Sequence, residues 1–279
     1  MTEKPIIKVE HLYYKYETRE QFAVEDVNLT INKGEFIAII GQNGSGKTTL
    51  VKHFNGLHKP TRGRVIVDGH NTADYPTSEL ARFVGYVFQN PDHQIFADSV
   101  RDEVAFGPKN IGFTEEHIES AIKLVLGEME LSGMEDEQPF QLSRGQRQRL
   151  AVASILAMEP SILVIDEPTT GQDWRESIAL MGLVQKLNEK GHTCIITTHN
   201  MNLVSIFARR VIVMRQAKVT LDGPTQDVFR NVEELKAAWI KPPDVYTLAQ
   251  KLLPDIKLDK PILPQDLADL LMHDQRIGR

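Results

Sequence analysis

The chain has 279 residues, of which 41% are hydrophobic and 25% charged, and these proportions are ordinary for a globular protein. This length allows one large α/β domain with an appendage, or two modest domains. The formal net charge of -6 argues against nucleic acid as the main partner, because a phosphate backbone is usually bound by a basic face. The single cysteine, Cys194, excludes an internal disulfide, and no apolar run reaches the roughly 18 residues of a membrane span.

The first elements along the chain are predicted to be β-strands. Polar and apolar residues alternate between Ile6 and Ile31, with a polar turn at residues 17–20. The apolar run from Phe36 to Ile40 predicts a buried strand. A helix that ends near Gly56 and a further strand at residues 63–68 are predicted to follow.

Between the buried strand and its helix lies the most informative motif of the chain. Residues 41–48 match G-x-x-x-x-G-K-[ST], the phosphate-binding loop, in the strand-to-helix position that this chemistry requires. The glycines let backbone N–H groups point at phosphate oxygens, and the helix N-terminus favours negative charge. Lys47 is predicted to reach the β- and γ-phosphates and Thr48 to hold Mg²⁺. The chain is therefore predicted to bind a nucleoside triphosphate.

Residues from about Asn90 to Pro160 have a helical pattern. Thr114 is a predicted N-cap, and the helix after it has one apolar face, formed by Ile118, Ala121, Ile122, Val125, Leu126 and Met129. Strands are predicted again at residues 161–165, 193–197 and 210–214. The helix between the first two begins at a capping box, Asp173-x-x-Glu176. Strands separated by helices favour a mainly parallel sheet.

The strand at residues 161–165 leads into two adjacent carboxylates, Asp166 and Glu167. Because neighbouring side chains on a strand point in different directions, the two can have separate roles. Asp166 is predicted to hold Mg²⁺, usually through water, and Glu167 to activate the attacking water as general base. The alternative is a solvated acidic turn, which the presence of a phosphate loop in the same chain makes the weaker interpretation.

A third motif, Leu142-Ser143-Arg144-Gly145-Gln146, opens a segment that continues to Met158. Ser143 and Gln146 satisfy a capping box, and a capped helix start that contains glycine is also a ready anion site. With this motif the chain resembles the ATPase subunit of an ATP-binding cassette (ABC) transporter, whose Leu-Ser-Gly-Gly-Gln signature also lies shortly before paired carboxylates. The resemblance covers about Ile6 to Gly223.

The resemblance implies roles for further residues in the family's order. Gln89 occupies the place of the Q-loop glutamine, which senses Mg²⁺ and the γ-phosphate, and His199 that of the switch histidine. Tyr16 corresponds to the aromatic residue that stacks on adenine, with Tyr13 and Tyr14 as competitors. The implied ligands are ATP and Mg²⁺. The catalytic residues are then Glu167, His199 and Gln89; the metal-binding residues are Thr48, Gln89 and Asp166; the nucleotide-binding residues are Tyr16, Gly41, Gln42, Asn43, Gly44, Ser45, Gly46, Lys47, Thr48, Thr49, Ser143, Gly145 and Gln146.

In the family, two ATPase subunits enclose two ATP molecules, each held between one chain's phosphate loop and the other's signature helix. Residues 171–173 correspond to the D-loop that links the two halves. This chain departs from the pattern at Arg144, where the family usually has glycine, and at Gln172, where it usually has leucine. Arg144 can point away harmlessly, or it can crowd or charge the partner's γ-phosphate site; the first interpretation is preferred.

A narrower resemblance rests on residues 88–94, on Val104 to Gly107 and on Lys241-Pro242-Pro243. These are similar to the ATPases of energy-coupling factor (ECF) transporters and of cobalt and nickel importers. The similarity implies a second ATPase subunit, identical or different, an integral membrane coupling subunit and a separate substrate-binding membrane subunit. It also implies a peripheral location on the cytoplasmic face of the cell membrane. Residues 94–97 are a candidate docking surface for a membrane subunit, with core packing as an equal alternative.

The sequence thus predicts an α/β fold with a P-loop (RecA-like) core, a mainly parallel sheet and an N-terminal antiparallel β part. Residues 1–225 are expected to form the ATPase domain, with core segments at about 1–89 and 161–225 and a helical subdomain inserted at about 90–160. Residues 226–279 are expected to form a small C-terminal helical domain. The implied function is ATP hydrolysis that energises an ECF-type importer of vitamins or metal ions. The alternatives are the ATPase of another ABC transporter and, less favoured, a non-transport ABC ATPase.

Overall fold

A computed structural model describes residues 5–252 and 264–273 of the chain. Its strands form a four-stranded sheet in the order β2-β1-β4-β5 and a six-stranded sheet in the order β10-β9-β3-β8-β7-β6. The strands are β1 (Pro5–Tyr14), β2 (Val24–Asn32), β3 (Phe36–Gly41), β4 (Arg62–Val67), β5 (His70–Asn71), β6 (Val84–Val87), β7 (Ile162–Asp166), β8 (Thr193–Thr198), β9 (Arg210–Arg215) and β10 (Lys218–Pro224).

The α-helices lie mainly between strands of the larger sheet and after its last strand. They are α1 (Lys47–Val51), α2 (Thr77–Leu80), α3 (Val100–Asn110), α4 (Glu115–Glu128), α5 (Arg144–Leu156), α6 (Trp174–Glu189), α7 (Met201–Phe207), α8 (Thr225–Arg230), α9 (Val232–Ala237), α10 (Asp244–Leu252) and α11 (Pro264–His273). Within the part of the chain that the structure describes, no helix combines the length and the apolar content that a membrane span needs.

The smaller sheet is antiparallel throughout, as its alternating sequence predicts. On β1, Ile7 and Val9 are buried while Lys8 between them is exposed. β1 pairs with β2 and with β4, and the Cα of Lys8 lies opposite that of Thr30 on β2. One face of this sheet therefore contributes to the core and the other faces solvent.

The larger sheet is parallel except for its edge strand β10, so the predicted parallel core is confirmed. Every residue of β3, β7 and β8 is buried, which is typical of central strands covered on both faces. β8 lies between β3 and β7 and pairs with both, with Thr198 opposite Ile40 and Thr197 opposite Asp166. The carboxyl ends of these three strands therefore meet at one edge of the sheet.

The helices α3, α4 and α5 pack against one another within residues 100–156. Thr114 caps α4 by accepting a hydrogen bond from the backbone N–H of His117, as predicted. The predicted apolar face of α4 is buried, including Met129, which is the C-cap residue rather than part of the helix. Cys194 is also buried, and this burial raises the pKa of its thiol to about 12, as expected for an inert cysteine.

Several predicted boundaries were wrong by a few residues. α1 ends at Val51 rather than near Gly56, because the chain then turns through i to i−3 backbone bonds, such as His53 N–H to Leu50 O and Phe54 N–H to Val51 O. The predicted strand at residues 63–68 is β4, and that at residues 161–165 is β7. Residues 253–263 and 274–279 of the expected C-terminal helical domain lie outside the described residues.

Arg210, the first residue of β9, connects this strand to β10 and to Glu35, which precedes β3. Its guanidinium donates to both carboxylate oxygens of Asp222 on β10, at 2.7 Å each. It also donates to Glu35 Oε2 and to the carbonyl oxygen of Thr30 on β2, each at 2.9 Å. With 20% of its side chain exposed, Arg210 is shielded enough for these charge-assisted bonds to contribute to stability.

We expect Arg210→Met to lower the free energy of unfolding by about 2 kcal/mol, because it leaves Asp222 and Glu35 without their shared cation. Urea denaturation monitored by circular dichroism measures this loss. Lys236→Met is the control, since its ion pair with Glu233 is exposed and is expected to contribute less than about 0.5 kcal/mol. Equal stability of the two variants would contradict a structural role for Arg210.

Candidate nucleotide-binding site

The loop between β3 and α1 has a conformation that requires glycine at two positions. A Cβ atom on Gly41 would lie 2.3 Å from the carbonyl oxygen of Met214 on β9. Gly46 has a positive φ of 107°, and a Cβ atom there would lie 2.4 Å from the carbonyl oxygen of Ala23. The loop is therefore pressed against neighbouring backbone, and its shape is held before any ligand binds.

Lys47 is folded back onto this loop. Its Nζ donates to the carbonyl oxygens of Gly41, at 2.9 Å, and of Gln42, at 3.1 Å. Burial lowers the pKa of the ammonium, while the nearby carboxylates of Glu167 and Asp166 act in the opposite direction. The side chain thus presents a partly desolvated cation at the mouth of the loop, where an anion would be attracted most strongly.

Asp166 is the centre of a hydrogen-bond cluster at the end of β7. Its Oδ1 accepts from the Thr48 hydroxyl at 3.0 Å and from the Thr197 hydroxyl, and its Oδ2 accepts from the Tyr86 hydroxyl at 2.9 Å. Burial beside Asp166 raises the pKa of Tyr86, which keeps that hydroxyl protonated and donating. The carboxylate is therefore fixed against the phosphate loop.

These oxygens fit Mg²⁺, which prefers carboxylate, hydroxyl and water ligands. Thr48 in the first turn of α1 and Asp166 at the end of β7 meet directly beside the loop. Among the described residues, no group of three or more His, Cys, Asp or Glu side chains is arranged to hold a metal ion. Thr48 and Asp166 would thus hold Mg²⁺ together with oxygens from the nucleotide.

Glu167 follows Asp166 in a strained backbone conformation, with φ at 49°. Its N–H donates to both the carbonyl and the hydroxyl oxygen of Thr197, at 3.0 Å each, which holds this turn in place. His199 Nδ1 lies 2.7 Å from Glu167 Oε2. The Glu167 side chain is 9% exposed and that of His199 is 63% exposed, so the imidazole covers a sheltered carboxylate.

A cavity of about 1030 Å³ extends from these groups. At the end next to the phosphate loop and the carboxylates it is lined by Lys47, Thr48, Gln89 and Glu167. Tyr16 lines its other part and donates to or accepts from the Thr49 hydroxyl at 3.0 Å. Of the three competing tyrosines only Tyr16 lines this cavity, because the Tyr13 ring packs on Phe22 and the Tyr14 ring stacks on His58. The volume is sufficient for a nucleotide.

The structure adds residues that sequence reasoning missed. Tyr86 and Thr197 fix Asp166, and Arg19 lies with its guanidinium carbon 5.8 Å from the centre of the Tyr16 ring. Thr197 could have been found only from the pairing of β7 with β8, and nothing in the local sequence around Tyr86 or Arg19 identifies either.

The predicted signature residues lie apart from this cavity. Ser143 caps α5: its hydroxyl accepts from the Gln146 N–H at 3.3 Å, and Gln146 Oε1 accepts from the Ser143 N–H at 2.8 Å. The capping box is thus confirmed, but Ser143, Gly145 and Gln146 do not line the cavity that holds the phosphate loop. A single chain therefore does not bring the two groups of predicted nucleotide-binding residues together.

In the candidate docking segment at residues 94–97, some side chains pack in the core and others are exposed as a docking surface would be. The Gln94 side-chain amide donates to the carbonyl oxygen of Ala151 at 2.7 Å, and Ile95 is buried in the core. Phe96 is 60% exposed and forms an edge-to-face pair with Phe106, which is 49% exposed, at 4.7 Å between ring centres. Within residues 94–97, Phe96 is therefore the most exposed side chain, and together with Phe106 it forms an aromatic surface that a partner can reach.

Comparison with known proteins agrees with this geometry, which defines a P-loop nucleotide-binding fold. Residues 24–170, more than half of the chain, match the ABC transporter family. An ABC transporter ATP-binding protein of Caldanaerobacter subterraneus subsp. tengcongensis is 49% identical over 88% of this chain and 43% of its own length. The energy-coupling factor transporter ATP-binding protein of Methanocaldococcus jannaschii is 40% identical over 88% of this chain and 89% of its own length.

Solved structures have the same fold. The structure of cbiO1 from Clostridium perfringens, part of the ABC transporter complex cbiONQ, is 35% identical with a TM-score of 0.77, over 89% of this chain and 100% of its own. A dimeric ATP-binding cassette bound to ADP and Pi is 31% identical with a TM-score of 0.71, over 78% of this chain and 98% of its own. The chain belongs to the ABC transporter family, as an ATP-binding cassette. It spans less than half the length of several of the curated relatives that it matches.

We expect Lys47→Ala to weaken ATP binding about a hundredfold or more, because it removes the cation that faces the phosphates. Isothermal titration calorimetry measures the affinity. Lys59→Ala is a matched control, since Lys59 also donates to two backbone carbonyls, of Thr72 and Tyr75, but does not line the cavity. Unchanged affinity in Lys47→Ala would contradict the assignment of the loop.

Proposed function

We propose that this chain is the ATP-hydrolysing subunit of an ECF-type membrane importer for vitamins or metal ions, peripheral on the cytoplasmic face of the membrane. The observation that carries the ATPase part is the contact of Thr48 with Asp166 beside the Glu167–His199 pair, at one end of a nucleotide-sized cavity. The resemblance to the Methanocaldococcus ATP-binding protein and to cbiO1 supports the importer part.

In this proposal each residue has a chemical task. Backbone N–H groups of the loop and Lys47 bind the β- and γ-phosphates, and Tyr16 stacks on adenine. Thr48, Asp166 and Gln89 would hold Mg²⁺, which would supply charge neutralisation at the phosphate oxygens. Glu167 takes a proton from the attacking water, and His199 orients that carboxylate and contacts the γ-phosphate.

The separation of the signature residues from the cavity supports a shared site. Ser143, Gly145 and Gln146 begin α5 with a capped N-terminus, which favours an anion, yet the chain's own phosphate loop does not face them. A second ATPase subunit, identical or different, would supply its loop to this helix. ATP would then join the two subunits and its hydrolysis would release them, which moves the attached membrane proteins.

We expect Glu167→Gln to reduce ATP hydrolysis about a hundredfold or more while ATP binding is retained, because the amide cannot accept the proton. The variant should therefore accumulate as an ATP-bound dimer, detected by size-exclusion chromatography with light scattering. Glu130→Gln, which changes an exposed carboxylate paired with Arg149, is the control and should hydrolyse ATP normally. Normal turnover in Glu167→Gln would show that Glu167 is not the base.

The exposed aromatic pair of Phe96 and Phe106 is the proposed contact with the integral membrane coupling subunit. Large aromatic side chains exposed together on a surface are typical of interaction sites. The pair is anchored from below, since the backbone N–H groups of Phe96 and Ala97 both donate to the buried carboxylate of Glu103 at 3.0 Å. A partner would thus meet a rigid surface.

We expect the double variant Phe96→Ser, Phe106→Ser to lose integral membrane proteins that co-purify with the wild-type chain from detergent extracts, while its ATPase activity alone is unchanged. Leu124→Ser is the matched control, as Leu124 is 58% exposed on α4 of the same helical region. Mass spectrometry of the co-purified proteins also identifies the class of system. Recovery of ribosomes or DNA without any membrane protein would reject a role in transport, whether in an ECF-type importer or in another ABC transporter.

A further inference from the structure

The arginine that interrupts the signature motif contacts the D-loop of its own chain. Arg144 is the first residue of α5, and its Nη2 donates to the carbonyl oxygen of Thr170 at 2.8 Å. The guanidinium lies flat against Gly171, where an added Cβ atom would be 2.6 Å from Arg144 Cζ. Gly171 has a φ of 74°, a backbone conformation that favours glycine, and a Cβ atom there would displace the Arg144 guanidinium.

The D-loop is connected in turn to the proposed general base. The N–H of Thr170 donates to the carbonyl oxygen of Glu167 at 3.3 Å, and that of Gln172 to the carbonyl oxygen of Thr169 at 3.2 Å. Within the described residues, the Thr170 hydroxyl and the Gln172 side-chain carbonyl have no hydrogen-bond partner. These two side chains therefore do not fasten the loop, and the contact from Arg144 does.

The starts of α5 and α6 are also close to each other. A Cβ atom on Gly145 would lie 3.1 Å from the carboxylate of Glu176, whose N–H donates to the Asp173 carboxylate that caps α6. Arg144 thus contacts the middle of the segment from Glu167 to α6, at Thr170 and Gly171, and Gly145 lies beside the first turn of α6. The start of the signature helix and the hydrolytic turn are joined side by side in one chain.

We propose that Arg144 is a positioning residue that clamps the D-loop onto the signature helix, so that the two move as one body. The proposal rests on the proposed function, because its effect on catalysis requires a site shared between two subunits. In that arrangement the N-terminus of α5 faces the ATP bound by the partner. The Arg144 guanidinium then keeps the distance between this N-terminus and the turn that carries Glu167 constant. Arg144 is then neither a neutral variant nor an obstacle to the partner's γ-phosphate.

The clamp is tested first without nucleotide, by amide hydrogen exchange of residues 167–173 in the isolated chain. Arg144→Met keeps an unbranched apolar stem but removes the guanidinium and its donors, and we expect exchange there to be about three to ten times faster. Arg82→Met is the matched control, because Arg82 is also an exposed arginine that donates to a backbone carbonyl, that of Ile111, at 2.6 Å. Unchanged exchange in Arg144→Met would overturn the clamp.

The effect on catalysis is tested by steady-state ATPase kinetics of the same variants. Arg144→Met and Arg144→Gly should lower kcat about three- to tenfold with little change in KM or in melting temperature, because the loop is misplaced but the cavity is intact. Arg144→Lys should recover part of the rate, since an ammonium can still donate to Thr170. An unchanged or raised kcat in Arg144→Gly would reject the positioning role.

A double-mutant cycle with Gly171→Ala separates the clamp from backbone strain. The new methyl group strains φ in any background, but it displaces the guanidinium only where Arg144 is present. Gly171→Ala should therefore lower kcat less in the Arg144→Gly background than in the wild-type background. Strictly additive losses would contradict the contact as the cause.

Failure of this proposal and failure of the proposed function give different results. ATP-dependent dimerisation is measured in the Glu167→Gln background, with and without Arg144→Met. Absence of a dimer with Arg144 intact would reject the shared site, while hydrogen exchange still reports on the clamp. A dimer that forms equally well with a normal exchange rate and normal kcat in Arg144→Met chains would reject the clamp alone.

Discussion

Parallel hydrogen bonding of β3, β8 and β7 brings the carboxyl ends of all three strands to one edge of the larger sheet, and every element of the candidate site depends on this register. The phosphate loop leaves β3, Asp166 ends β7, and Thr197 on the strand between them donates to Asp166. A shift of one residue in either pairing would turn Asp166 away from Thr48, because strand side chains alternate between faces. Cooperative burial of the whole sheet is what holds together Thr48 and Asp166, the proposed magnesium-binding pair, which lie 118 residues apart in the chain.

The same edge of the sheet accounts for the incompleteness of the site in one chain. The turn after Asp166 runs directly into residues 170–173, which Arg144 joins to the start of α5, and Ser143, Gly145 and Gln146 do not line the cavity. In the proposed function, the chain presents two half-sites, one with a phosphate loop and the other with a capped helix N-terminus. Such a surface is complementary to a second copy or a related subunit in a symmetric arrangement.

Much of the fold was predictable because its information is local. Alternation along β1, the continuous apolar run of β3 and the single apolar face of α4 specify their own secondary structure within a few residues. The caps at Thr114 and Ser143 were predictable for the same reason, since each hydrogen bond closes over three residues. Boundaries were less accurate, as at the end of α1, because the chain continues there in turns closed by i to i−3 backbone bonds, which the residue pattern does not distinguish from a helix.

The sequence alone determined the phosphate loop, the carboxylate pair at Asp166 and Glu167, and the parallel α/β class. Each of these is specified by residues that are consecutive or nearly consecutive in the chain. Only the tertiary structure decided that Tyr16 rather than its two neighbours lines the cavity, and that Arg144 contacts Thr170. It also separated buried Ile95 from the exposed Phe96 beside it. Those outcomes depend on which distant backbone each side chain meets, which is set by strand order and helix packing and not by spacing along the chain.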